Sequence, residues 1–232
     1  MSRRLILIRH GQTTYNATRR MQGHLDTELS AEGYAQAEVA ARMLGDRQIT
    51  KILSSDLQRA QETARVIGEA LGLDYVTDAR LRETHLGQWQ GRSAEEVDAE
   101  FPGARAVWRH DPTWAPPGGE SRVDVALRAR PVIDELMRTH NEWDNGPVLI
   151  VGHGGAIAAL TCHLLGFSYP QYALLSGLKN THWSQLTARP LFDAARPLEP
   201  ATFSPATVDT ATWYFDGWNM GAKVTGDSGA DV

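Results

Sequence analysis

Leu5-Ile6-Leu7-Ile8-Arg9-His10-Gly11 opens with four apolar residues in succession and closes on glycine. Four is a strand's length and too few for a buried helix, and an apolar run without polar alternation belongs to a strand covered on both faces. Pro147-Val148-Leu149-Ile150-Val151-Gly152-His153-Gly154-Gly155 repeats the pattern: a buried strand, a histidine between glycines, then a helical stretch. Lys51 to Ser54 reads as a third buried strand. Longer amphipathic stretches lie between these runs, which is the βαβ alternation of a mostly parallel sheet with helices on both faces. The pattern predicts an α/β fold, a three-layer α/β/α sandwich.

Ser30 is placed to cap a helix that runs to about Leu44, before Gly45, and Ser55 to cap one from Asp56 to about Leu71, before Gly72. From Arg80 to Gly119 the periodicity loosens. Ser93-Ala94-Glu95-Glu96 forms the capping box of a short helix and a Pro- and Trp-rich stretch follows, so residues 80–120 are expected to form an insertion of helix and loop that caps the sheet edge. Ser121 opens a long helix to about His140, in which Pro131 removes a backbone donor and should kink the axis. Ser184 to Thr187 and Thr212 to Phe215 are expected as late strands. Residues 1–220 are expected to form one domain, and the polar, small-residue stretch 221–232 to be disordered.

With 232 residues, 42% of them hydrophobic and 22% charged, the chain can bury a substantial core. Its net charge of -5 argues against a nucleic-acid binder that works by neutralising phosphates. The apolar run after Met1 is too short for a signal-peptide core or a bilayer span, so no membrane partner is expected and the expected location is cytoplasmic. Cys162, the single cysteine, lies in an apolar run and reads as a small buried hydrophobe.

Ligands of α/β proteins bind beyond the carboxyl ends of the strands, where the first strand delivers Arg9 and His10 and the later one His153. Arg9 can clamp phosphate oxygens with its guanidinium fork, Gly11 lets the backbone approach, and His10 offers a nitrogen lone pair. The competing view makes both histidines satisfied core residues at equivalent strand ends, which requires a coincidence. No metal is expected, because the two histidines lack a third ligand in helical spacing and arginine repels a cation. In Ser54-Ser55-Asp56-Leu57-Gln58-Arg59-Ala60 a strand hands over to a helix with Arg59 in its first turns, so that a second guanidinium joins a helix N-terminus as an anion site. Glu83, in Leu81-Arg82-Glu83-Thr84-His85-Leu86-Gly87, lies in a glycine-punctuated loop; pressed against a bound phosphate, its carboxyl group would hold a proton that it could give to a leaving oxygen.

Together these segments resemble the histidine phosphatase superfamily, which contains the cofactor-dependent phosphoglycerate mutases and many phosphatases. The likeness covers nearly the whole chain in the family's order: Arg9-His10-Gly11 with Asn16, Leu29-Ser30 with Gly33, Ser54-Ser55-Asp56-Leu57 with Arg59-Ala60 and Thr63-Ala64, Glu83, and Gly152-His153-Gly154. It implies a phosphoglycerate mutase-like fold and a phosphomonoester hydrolase that works through a phosphohistidine and needs no cofactor. It also implies that His10 is phosphorylated, that Arg9, Arg59 and His153 hold the phosphoryl group and that Glu83 is the proton donor, with Asn16, Gln22 and Gly154 as further contacts to the phosphate ester.

The family's mutases carry Arg-His-Tyr-Gly after the acid, where this chain has Thr84-His85-Leu86-Gly87. Their paired arginines and lysine for a second phosphate have no counterpart; Arg105, Arg109 and His110 are spaced by apolar residues instead. Hydrolysis is therefore expected over mutase activity. A broad-specificity acid phosphatase of the same superfamily is the neighbouring alternative, and a non-catalytic phospho-ligand binding module is the alternative of another class. Pro102-Gly103-Ala104-Arg105, Thr113-Trp114-Ala115-Pro116 and Phe215-Asp216-Gly217-Trp218-Asn219 resemble the branch of phosphatases that acts on a glucosylated 3-phosphoglycerate. That likeness implies a small-molecule phosphate ester as substrate, with Trp89, Trp108 or Trp114 stacked on its glucosyl ring and Arg105, Arg109 or His110 meeting its carboxylate. The plainer expectation is that the tryptophans pack the insertion. A homodimer is expected from the likeness and from the prevalence of two-fold symmetry.

Overall fold

The computed structural model describes residues 2–192, 202–205 and 207–222; the expectation of disorder for 221–232 falls, from residue 223 onward, outside the described residues. The strands are β1 (Arg3–Arg9), β2 (Lys51–Ser54), β3 (Tyr75–Thr77), β4 (Val148–Gly152), β5 (Trp183–Arg189) and β6 (Thr212–Met220). They form one sheet in the order β3-β2-β4-β1-β5-β6. Pairing is parallel from β3 through β1 and antiparallel for β5 and β6. The α-helices are α1 (Thr14–Ala17), α2 (Ala31–Leu44), α3 (Gln58–Leu71), α4 (Ala94–Glu100), α5 (Ala104–His110), α6 (Arg122–Thr139) and α7 (Gly154–Leu164).

The apolar strands are buried on both faces because successive side chains point to opposite sides. Leu5, Leu7, Leu53, Val148 and Ile150 pack with Ile133 and Leu136 of α6 and Ile157 and Leu160 of α7. Ile6, Ile8, Ile52, Leu149 and Val151 pack with Ala40 and Leu44 of α2 and Ala60, Ala64 and Ile67 of α3. Each such leucine or isoleucine contributes about 1.5–3 kcal/mol by leaving water, and a one-residue slip of register would exchange the two cores. This fixed register is what holds the ends of β1, β2 and β4 side by side.

Most helix boundaries follow the sequence signals. Ser30 accepts the Gly33 N–H at the start of α2, Ser93 and Glu96 form the capping box of α4, and Ser121 and Asp124 form that of α6. Helix α6 runs without interruption through Pro131, which lies at an exposed position. One expectation fails: Ser55 does not cap α3. The N-cap of α3 is Leu57, and the Gln58 N–H is met by Asp26 Oδ1 from a distant loop at 2.7 Å. The Ser55 side chain is engaged elsewhere, as shown below. The insertion has its own small core around wholly buried Trp89, with Phe101, Trp108 and Trp114 packed against it. The Trp89 ring lies 5.8 Å from Trp108 and 5.6 Å from Trp114.

Candidate active site

His10 follows β1 and its N–H bonds the Gly152 carbonyl at the end of β4. The imidazole is 2% exposed, and its two nitrogens have opposite partners. Nδ1 lies 2.7 Å from the Gly11 carbonyl, which can only accept, so Nδ1 carries the proton. Arg59 Nε, which can only donate, lies 3.2 Å from Nε2, so Nε2 holds the lone pair. Burial first, and then the charges of Arg59 and Arg9, push the His10 pKa well below the ordinary histidine range. The ring is therefore neutral, with a nucleophilic nitrogen facing a guanidinium.

Arg59 enters from the first turn of α3 and is wholly buried. Its Nη1 and Nη2 donate to the carbonyls of Leu25 and Gly23, each at 2.8 Å. Burial brings its pKa down to about 10, with the carboxylates of Glu83 and Asp26 working against that fall. Arg9 Nη1 donates to the Leu178 carbonyl at 2.6 Å, while Nε is buried without a partner. Among the described residues, no carboxylate forms an ion pair with Arg9 or Arg59. A wholly buried guanidinium and a partly buried one beside it, neither with a paired anion among the described residues, are costly unless a ligand supplies one.

His153 follows β4, is wholly buried, and stands edge-to-face with His10 at 5.2 Å between ring centroids. Its Nε2 lies 2.8 Å from Ser55 Oγ at the end of β2, and its Nδ1 is buried without a partner. Burial, followed by Arg59, holds its pKa well below the ordinary histidine range. Glu83 reaches the N-terminus of α7, where its carboxylate accepts the N–H groups of Gly155 at 3.0 Å and Ala156 at 2.9 Å as well as that of Thr84 at 2.8 Å. Residue 155 must be glycine for this seat, because a Cβ there would lie 2.6 Å from Glu83 Oε1. The structure thus brings Arg9, His10, Arg59, Glu83 and His153 to one sheet edge, with Gly154 beside the Arg9 side chain.

Asn16 and Gln22 flank this cluster. Asn16 Oδ1 accepts from the Thr13 N–H at 3.1 Å and from Asn180 Nδ2 at 3.3 Å, and the same Asn180 Nδ2 lies 2.9 Å from the His10 carbonyl. Gln22 Oε1 faces the hydroxyls of Thr13 at 3.0 Å and Thr27 at 2.5 Å. With both carbonyl ends occupied, the amide NH2 groups are the ends able to meet an anion. The insertion's candidates stand apart. Arg105 pairs with Asp98 at 3.5 Å, whereas Arg109 and His110 are exposed at the last turn of α5. Trp89, wholly buried, has no face for a sugar ring, and the expectation that it stacks on a ligand is corrected by its place in the insertion's core.

Sequence reading missed a layer behind the cluster. The Glu83 carbonyl is bonded by Arg128 Nη2 at 2.7 Å and by His24 Nε2 at 2.6 Å, and Arg128 is itself clasped by both oxygens of Glu120. His24 had no motif around it, and no spacing signals these contacts. Gly33 is a further support: a Cβ there would lie 2.1 Å from the Gln12 carbonyl, so only glycine lets α2 close on the loop after His10.

The two depressed histidine pKa values fix a pH dependence. An unfolded histidine titrates near about pH 6.5, so below that the unfolded chain binds more protons than the folded one. Stability is therefore expected to fall as the pH drops from about 7 to about 5, with a slope of up to about 1.4 kcal/mol per pH unit from each of His10 and His153. The lowered values of His24, His140 and His163 add in the same sense. Urea unfolding across that range measures the slope; a flat profile would mean that the rings are charged in the folded protein.

Two histidines, two guanidiniums without a carboxylate partner among the described residues and one carboxyl group thus meet at one sheet edge, the set of groups that could bind and transfer a phosphoryl group. The profile of the histidine phosphatase superfamily (branch 1) matches residues 5–191, and the chain belongs to that superfamily as one of its enzymes. It is 47% identical over 232 residues to the glucosyl-3-phosphoglycerate phosphatase of Mycobacterium tuberculosis, across 97% of this chain and 98% of that protein. It is 48% identical over 229 residues to that of Mycolicibacterium vanbaalenii, with the same coverage. The solved structure of the mycobacterial glucosyl-3-phosphoglycerate phosphatase in complex with VO3 matches with a TM-score of 0.83 at 48% identity, over 94% of this chain and 98% of that one.

Proposed function

We propose that the protein hydrolyses glucosyl-3-phosphoglycerate in two steps, with His10 as nucleophile. The observation that carries the reading is the His10 Nε2 lone pair set beside the guanidiniums of Arg59 and Arg9, which have no carboxylate partner among the described residues. In the first step Nε2 attacks phosphorus and the P–O ester bond breaks. The Nδ1–H stays on the ring, where the Gly11 carbonyl stabilises the positive charge that develops. Arg9, Arg59 and the NH2 groups of Asn16 and Gln22 offset the charge on the phosphoryl oxygens. Glu83 gives its proton to the leaving alkoxide, and Oε2 is the oxygen suited to carry it, since it accepts one backbone N–H where Oε1 accepts two. In the second step Glu83, now a carboxylate, takes a proton from water as the water oxygen attacks phosphorus; the P–N bond breaks and phosphate leaves.

The substrate assignment rests on the named relatives and on the near-complete coverage of both chains. Phosphate release from glucosyl-3-phosphoglycerate, 3-phosphoglycerate and p-nitrophenyl phosphate in the presence of EDTA tests it. The expected outcome is a kcat/KM for the glucosylated ester at least about 10-fold above the others, a gain of about 1.4 kcal/mol, and no effect of EDTA. Equal rates on all three esters would remove the substrate assignment and leave a broad-specificity phosphatase.

Two further properties belong to this reading. A homodimer is supported by β6, the last strand of the sheet among the described residues, whose Tyr214 and Phe215 are exposed; a monomer mass in sedimentation equilibrium would exclude it. A cytoplasmic location is consistent with the lone buried thiol of Cys162, and fractionation of the source cells decides it.

A further inference from the structure

Ser55 lies at the end of β2 and is wholly buried, as is His153. Among the described residues, Ser55 Oγ meets the Leu57 N–H, at 3.3 Å, and His153 Nε2, at 2.8 Å. The Leu57 N–H can only donate, so Oγ accepts there. The hydroxyl proton must go to an acceptor, since a buried hydroxyl that donates to nothing is costly. Among the described residues, Nε2 is the acceptor placed to take it. A neutral imidazole that accepts at Nε2 carries its single proton on Nδ1, the nitrogen that is buried and unpartnered.

We propose that Ser55 is a positioning residue that fixes the tautomer of His153, turning Nδ1 into a preset N–H donor for the phosphoryl group. The inference rests on the phosphatase reading of His153. With the other tautomer, His153 would present a lone pair to an anion and repel it. Ser55 Oγ holds the ring and the Leu57 N–H ahead of α3, while Asp26 meets the first N–H of the helix. The order of strands puts the relay in line, with β2 carrying Ser55, β4 carrying His153 and β1 carrying His10. Burial keeps the ring neutral, the condition under which one hydroxyl can choose between tautomers.

The test is 15N NMR of the histidine-labelled wild-type protein, with His153 assigned by the spectrum of His153→Asn. A neutral ring protonated at Nδ1 is expected; protonation at Nε2 overturns the inference. Kinetics give the second arm. Ser55→Ala, shown to be folded by circular dichroism, is expected to lose about 10–100-fold in kcat with a change in KM below about 3-fold, as for other buried residues that orient a functional histidine. Ser55→Thr, which keeps the hydroxyl, is expected to recover most of the loss. A folded Ser55→Ala with wild-type kcat, alongside an impaired His153→Asn, overturns the role of Ser55 and leaves the catalytic reading of His153 standing. Wild-type kcat in His153→Asn overturns that reading itself.

Discussion

His10→Ala is expected to lower phosphate release by about 10,000-fold or more, because removing a covalent nucleophile takes away the whole two-step path rather than one stabilising contact. The structure concentrates the nucleophile in one atom. Nε2 of His10 is the lone pair that the Gly11 carbonyl and the Arg59 guanidinium together select, and His153 cannot replace it, since its Nε2 already lies against Ser55. The wild-type protein, quenched in alkali during turnover of a 32P-labelled substrate, should retain label on protein as an acid-labile phosphoramidate, and His10→Ala should retain none. The variant should remain folded. It loses a buried neutral ring and leaves Arg59 Nε without its acceptor, a cost of about 1–3 kcal/mol. Turnover by folded His10→Ala within 10-fold of wild type would refute the phosphohistidine path.

The parts of the molecule that the sequence made legible are those whose signal is local. The strands announced themselves because a run such as Val148 to Val151 has no polar face to offer. Arg9, His10 and His153 could be placed together because the ends of parallel strands lie at one edge. Helix starts were read correctly where the capping side chain belongs to the helix's own first turn, as with Ser30, Ser93 and Ser121. Ser55 has the same local look, yet its hydroxyl serves His153, 98 residues away. Nothing local distinguishes the two uses. The supports of Glu83 are hidden for the same reason, since Arg128 and His24 reach its carbonyl from 45 and 59 residues away in opposite directions along the chain. In the insertion, the plainer expectation that the tryptophans pack is the one the structure bears out, and the stacking implied by resemblance fails for Trp89. Trp89, Trp108 and Trp114 form a small core because an excursion of two short helices has few other large apolar groups to bury.

Glu83→Gln is expected to separate the two proton transfers assigned to this carboxyl group. An alkyl phosphate leaves as a strongly basic alkoxide and needs the proton, so kcat for glucosyl-3-phosphoglycerate should fall by about 100- to 10,000-fold. The nitrophenolate of p-nitrophenyl phosphate is a weak base and leaves without help. With that substrate the first step should survive while the second, which needs Glu83 as base, slows. The predicted record is a burst of nitrophenol equal to the enzyme present, followed by slow turnover, and no burst of the glucosylated product. Part of any loss will be structural, since the Gln amide puts an NH2 against one of the three backbone N–H groups that the carboxylate now accepts. That donor–donor contact costs about 1–3 kcal/mol and should lower Tm. A structural defect at the N-terminus of α7 would slow both substrates alike and produce no burst. Equal losses without a burst would therefore reduce Glu83 to an anchor for that helix, and the proton donor would have to be sought elsewhere at the strand edge.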